Sequence, residues 1–180
     1  GVIFDLAALA ERSLLVADVG ESATRYRMLA TVRSVAGRWL EESSSAGDVR
    51  RRHAEHFTDA TRLIDAQIRT ADEARGRRRL DEIVAEVRAA HRWARRHHPS
   101  LASAMSGALH FAAYSTFWNE PTEWSRSLLA EHPVGGADAL SGARILVAGA
   151  DANSGQLADA RSTATALSIA PDAHVRAAAL

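Results

Sequence analysis

Apolar residues recur at helical spacing over most of this chain. Between residues 80 and 94 they return every three or four positions, which predicts an amphipathic helix. A second stripe over residues 49–68 predicts a helix before it. Further helices are expected at 101–117, 122–131, 137–152, 157–169 and from 174. Breaks between these segments are marked by Pro99, Pro121, Pro133, Gly135, Gly136, Gly155 and Pro171. The chain is therefore predicted to be mainly α-helical.

The first part of the chain follows a different pattern. A short helix is expected over residues 4–13, then two strands over 14–19 and 23–29 joined by a turn at Gly20 and Ser22. Alternation in the second strand puts Tyr26 and Met28 on one face, and Arg25 and Arg27 on the other. From Thr31 the spacing becomes helical again. The sequence thus predicts a β-hairpin between two helices, with a small core formed by Trp39 as its anchor together with Leu9, Leu15, Tyr26, Met28 and Val35.

A run of serine and glycine, EESSSAGD, divides this region from the rest and predicts domains at 1–43 and 44–180. In the second domain Pro99, Pro133 and Pro171 are 34 and 38 residues apart, with two predicted helices in each interval. Helix pairs that repeat at about 34 residues are typical of tetratricopeptide-like solenoids. We therefore expect a degenerate antiparallel helical repeat after residue 43.

The composition excludes several classes of protein. Apolar residues make up 47% of the chain, but no run is long enough for a membrane span, so no membrane partner is expected. Its 22 basic residues are all arginine and are balanced by 22 acidic ones, so there is no overall positive field to hold phosphates. Without lysine there is no Walker lysine, which argues against ATP hydrolysis by this chain. The chain has no cysteine, which fits a reducing, cytoplasmic location.

The histidines and arginines suggest sites that their spacing does not favour. The pairs His53/His56 and His97/His98 lack a third ligand at a suitable spacing, so packing is favoured over metal binding. Basic clusters at residues 50–52, 77–79 and 91–98 are interpreted first as solvated surface, then as partner contacts, and last as a nucleic-acid surface. No set of residues is spaced as a catalytic group, so neither an enzyme nor a cofactor is expected.

An aromatic group is the most ligand-like feature of the sequence. Phe111, Tyr114 and Trp118 share one helical face near Phe117, and Trp124 follows after a turn. Aromatic residues at this spacing are typical of a core between paired helices, and alternatively of a concave recognition surface. Phe111, Tyr114, Trp118 and Trp124 are therefore the candidate partner-binding residues.

Several motifs in the first half of the chain also resemble those of a known family. The residues that carry the likeness are the motifs ERSLL (11–15), RYRML (25–29), TVR (31–33) and RRRHAEHF (50–57), followed by RLDEIVAEVRAAHRWA (79–94). They resemble the segment after the nucleotide-binding core in signal-transduction ATPases with numerous domains, the AfsR-like and LuxR-type regulators of actinobacteria. The likeness covers about half of the chain.

The resemblance implies an organisation and a function. It implies that residues 1–43 are a degenerate winged-helix remnant, and that the chain is a fragment of a transcriptional regulator. The helical repeat would be a non-catalytic sensor that binds a protein partner or effector by protein–protein interaction. It would relay that signal to an ATPase domain of the parent chain, with DNA bound only through other parts of the parent.

A second hypothesis is that the chain is a nucleic-acid-binding protein of the winged-helix type. Arg25 and Arg27 would then act as a DNA wing on the hairpin. The zero net charge counts against this alternative.

Overall fold

A computed structural model describes residues 1–19, 24–133 and 139–168. Its described part is mainly helical with one two-stranded antiparallel sheet, which confirms the predicted fold class at that level. The elements are α1 (Val2–Glu11), β1 (Leu15–Val19), β2 (Thr24–Met28), α2 (Ala30–Glu42), α3 (Ala46–Ile68), α4 (Glu73–His97), α5 (Pro99–Ala108), α6 (His110–Thr116), α7 (Glu120–Glu131), α8 (Ser141–Asn153) and α9 (Leu157–Ser168).

Some predictions fall outside the described residues. They are the turn at Gly20 and Ser22, the breaks at Gly135, Gly136 and Pro171, and the helix from residue 174. Within the described residues, no helix combines the length and the apolarity that a membrane crossing requires.

The chain forms two compact units, which divide after Val49. In the first, β1 and β2 pair in the register Leu15 to Met28 through Val19 to Thr24. Leu15 is the one described side chain of this unit that is buried. The small core expected around Trp39 is wrong, because Trp39 is 71% exposed. Helical spacing identifies an apolar face but does not supply a surface to cover it.

The second unit begins at Arg50 and contains the main core. Its helices α3 and α4 run antiparallel, since Ile68 approaches Gly76 at one end while His53 Nε2 lies 3.1 Å from Glu86 Oε2 at the other. The predicted stripe on α4 is buried at Leu80, Val87, Ala90, His91 and Ala94. Val84, expected on the same stripe, is only partly buried.

The helix predicted over residues 101–117 is interrupted. Helix α5 ends at Ala108 and α6 begins at His110, with Leu109 between them at φ −94° and ψ 0°. The Leu109 side chain is 1% exposed, and its carbonyl accepts the first hydrogen bond of α6 from the Ala113 N–H at 2.8 Å. Gly107 lies two residues before Leu109, but the apolar spacing continues across this point, so periodicity alone did not reveal the break.

Helices α5 and α8 pack with almost no side chain between them. A Cβ atom on Gly142 would collide with the Ser103 carbonyl oxygen, and one on Gly107 would lie 2.8 Å from the Gly142 Cα. The Ser103 hydroxyl accepts a hydrogen bond from the Ala143 N–H at 3.1 Å across the same buried contact. This crossing holds α8 against α5 and so fixes one wall of the candidate site.

Candidate aromatic groove

A groove of about 640 Å³ opens between α6, the α6–α7 connection, α7 and α8. Its volume falls within the range of small-molecule sites. Aromatic and amide side chains dominate its wall: His110, Tyr114, Phe117, Trp118, Asn119 and Asn153. Among the described residues that line it, none carries a carboxylate or a guanidinium group. The groove therefore offers stacking surface and uncharged hydrogen-bonding groups.

Phe117 stands at an unusual backbone position beside this groove. It ends α6 in the left-handed region at φ 56° and ψ 32°, where glycine is the usual residue. The following Trp118 N–H closes the turn by donating to the Ala113 carbonyl at 3.0 Å. A bulky residue in this conformation costs about 1 kcal/mol or more, and the Phe117 side chain is nevertheless 90% exposed. Packing therefore does not offset the strain within the described structure.

Trp118 is held by a polar chain that reaches α4. Its indole Nε1–H donates to Glu120 Oε2 at 3.1 Å. Arg88 donates two hydrogen bonds to the same Oε2 atom, one from Nε at 2.9 Å and one from Nη2 at 2.7 Å. These hydrogen bonds from Arg88 are the main reason that the pKa of Glu120 is lowered, so the carboxylate is ionised at neutral pH. The indole is thereby oriented by a charged partner.

Trp124 lies behind Trp118, on the core side. The two rings meet edge to face, with centroids 6.0 Å apart, and Trp124 stacks on the His91 imidazole at 4.6 Å. His91 Nε2 also lies 3.3 Å from the Ser106 hydroxyl oxygen. Burial lowers the pKa of His91 to about 4, assisted by the positive charge of Arg95. His91 is therefore neutral at neutral pH and serves as a flat packing surface.

A polar cluster supports the other end of the groove. Arg69 donates to Asp65 Oδ2 at 2.8 Å and lies over the Phe111 ring, 4.9 Å from its centroid. Burial raises the pKa of Asp65 against the opposing effect of Arg69. Burial, together with Arg69, lowers the pKa of His110, while Asp65 partly offsets this. The result is a neutral imidazole in the groove wall at neutral pH.

The structure brings the four predicted partner-binding residues into one region with two different roles. Tyr114 and Trp118 line the groove, and Tyr114 is 57% exposed. Phe111 and Trp124 pack against the core beneath it. His110 was missed by the sequence reasoning, and so was the special backbone of Phe117. Helices commonly end at a glycine, and the sequence has none between the helix and Trp118. That missing glycine is the one signal that could have drawn attention to position 117.

The structure also shows where the histidine and arginine candidates lie. His53 bonds Glu86 and packs on Phe57, with ring centroids 4.7 Å apart, and no group of three metal-ligating side chains occurs in the described part of the chain. Arg27 is exposed on β2, while the side chain of Arg25 is not described. The DNA-wing hypothesis for these two arginines stays a prediction.

Comparison of the chain with protein-family models, with curated proteins and with solved structures found no match.

Proposed function

We propose that this chain is a non-catalytic sensor segment of a multidomain, ATP-dependent transcriptional regulator. In this proposal the helical unit binds an effector or a partner segment in the aromatic groove and relays the event to the ATPase domain of the parent chain. The sequence resemblance supports the assignment to a regulator. The groove itself supports the binding role, and Phe117 is the single observation that carries it.

The argument from Phe117 is energetic. A side chain that is strained in the backbone and exposed to water does not stabilise the fold, so its presence is better explained by a ligand. Tyr114 and Trp118 extend the same apolar wall. Because no charged side chain lines the described wall, the ligand portion that enters should be uncharged, flat and largely apolar.

Phe117→Gly tests this role directly. Glycine relieves the left-handed conformation, so the variant should be as stable as the parent or more stable by about 1 kcal/mol. It should nevertheless bind the neutral dye Nile red at least about tenfold more weakly, because one aromatic wall is gone. Fluorescence titration gives the affinity, and urea unfolding gives the stability.

Leu63→Ala is the matched control, because Leu63 is 65% exposed on α3 and does not line the groove. It should leave dye binding unchanged. Equal dye affinity in the Phe117→Gly variant and the parent protein would rule out a binding role for this wall, whatever the stability change.

A further inference from the structure

A second cavity, of about 290 Å³, lies between α7, α8 and α9. Its polar lining consists of Arg144 from α8, Ser162 and Thr163 from α9, and His132 at the end of α7. Leu129 and Val147 supply apolar walls. Among the described residues of this lining, Arg144 is the one whose side chain is permanently charged, since a guanidinium is not deprotonated in proteins.

The guanidinium group of Arg144 has a buried hydrogen-bond donor that is not satisfied. Its Nε is buried and has no hydrogen-bond acceptor among the described residues. Arg126, on α7, is paired with Asp151. The Nε of Arg95 is also buried without a hydrogen bond, but it lies 3.4 Å from Glu131 Oε2 and so has an ionic partner. For Arg144, no described carboxylate lies within ion-pair distance. Leaving a buried guanidinium N–H without an acceptor is costly, so a group that supplies one would be bound favourably.

The surrounding groups match an oxyanion. A guanidinium presents parallel N–H donors that fit the two oxygens of a carboxylate or phosphate. The hydroxyls of Ser162 and Thr163 can donate as well, and no described hydrogen bond already occupies them. The His132 imidazole adds an N–H donor in either neutral tautomer. A cavity with several donors and no described carboxylate in its wall selects for negative charge.

We propose that this cavity is a binding site for a small oxyanion, the carboxylate or phosphate group of a metabolite, with Arg144 as its main ligand. The site is separate from the aromatic groove, which selects for uncharged ligands, so the helical unit holds two sites of opposite chemistry. Binding here does not depend on the proposed role of Phe117.

Titration calorimetry with inorganic phosphate and with acetate, at constant ionic strength, tests the site. Saturable binding of one anion is expected, and the tighter of the two identifies the source chemistry. Arg144→Gln should weaken that binding at least about tenfold, the loss that follows from removing a charge-assisted hydrogen bond. Arg161→Gln is the matched control. Arg161 is exposed on α9 and does not line the cavity, so this substitution removes the same charge at a position outside the site. It should change the affinity less than about twofold.

A second variant protects the test against a folding defect at Arg144. The double substitution Ser162→Ala and Thr163→Val keeps the charge and nearly the same volume, and should weaken binding about tenfold through the lost hydroxyl donors. Failure of both anions to bind saturably would overturn the proposal. So would equal weakening by Arg144→Gln and Arg161→Gln, which would indicate only general attraction between charges.

Discussion

At the scale of single residues, His91 shows how burial sets chemistry. It is 2% exposed, stacked on Trp124, and its pKa is lowered to about 4. In the unfolded chain the same imidazole titrates near its ordinary value of about 6.5. Between about pH 6.5 and about pH 4 the His91 imidazole is therefore protonated in the unfolded state but neutral in the folded state. Stability from this residue is fully present above about pH 6.5 and is lost as the pH falls toward about 4.

We expect the free energy of unfolding to fall by up to about 3 kcal/mol between about pH 7 and about pH 4 because of His91 alone. His110 should add a smaller loss of the same sign, since its pKa is also lowered. In the His91→Gln variant the pH dependence should flatten, although the variant is less stable at neutral pH. Urea unfolding at several pH values measures both quantities.

His98→Gln serves as the control for this pH experiment. His98 is exposed at the end of α4, so this substitution makes the same chemical change as His91→Gln without altering the buried stack on Trp124. A slope that survives in His91→Gln would assign the titration to another group.

Prediction of buried residues from the sequence succeeded in the long helix α4 and failed in the first unit. Periodicity on α4 identified Val87, which is fully buried, because a long stripe has only one way to face a core. The same reasoning misplaced Trp39. Periodicity also could not find the unsatisfied Nε of Arg144, because the hydrogen-bond acceptors around a side chain are set by tertiary packing.

At the scale of elements, the α5–α8 crossing depends on two glycines in contact. Apart from the α5–α6 break, the described elements were predicted close to where they lie, because proline and amphipathic spacing act within a few residues. The crossing was not, because Gly107 and Gly142 belong to helices distant in the sequence and their contact is tertiary. A glycine inside a helix normally weakens it, so these two positions become intelligible only once the facing backbone is seen.

Gly142→Ala should destabilise the helical unit by about 1–3 kcal/mol or more, because its Cβ would meet the rigid backbone at Ser103. Gly37→Ala is the matched control in α2, where a Cβ meets nothing within 4 Å. That substitution should stabilise its helix by about 0.5–1 kcal/mol. Thermal unfolding of both variants checks the contrast, and a stabilised Gly142→Ala would contradict the close helix crossing.

At the scale of the whole molecule, the two units differ in how much they bury. The second unit holds a continuous core across α3 to α8, whereas Leu15 is the one buried side chain described in the first. A two-stranded hairpin with little buried apolar area is marginal by itself. The sequence predicted the hairpin and helices of the first unit correctly, but local patterns carry no information about how much surface is finally covered.

Amide hydrogen exchange should therefore separate the units. Amides in β1 and β2 should show protection at least about tenfold lower than those in the middle of α4, because local opening costs little where few side chains are buried. Mass spectrometry of peptic fragments measures this. Equal protection in the hairpin and in α4 would mean that the first unit is stabilised as strongly as the helical core.

The contrast between Trp39 and the other three indoles has an optical consequence. Trp39 is 71% exposed in the first unit, while Trp93, Trp118 and Trp124 are partly buried against the core of the second. An indole in water emits at longer wavelength than one in an apolar setting, since solvent dipoles relax around its excited state. Trp39 therefore emits at long wavelength in the folded and the unfolded chain alike, whereas the other three indoles should shift from shorter to longer wavelength when the second unit unfolds. The short-wavelength edge of the emission thus follows the second unit alone, without any added dye.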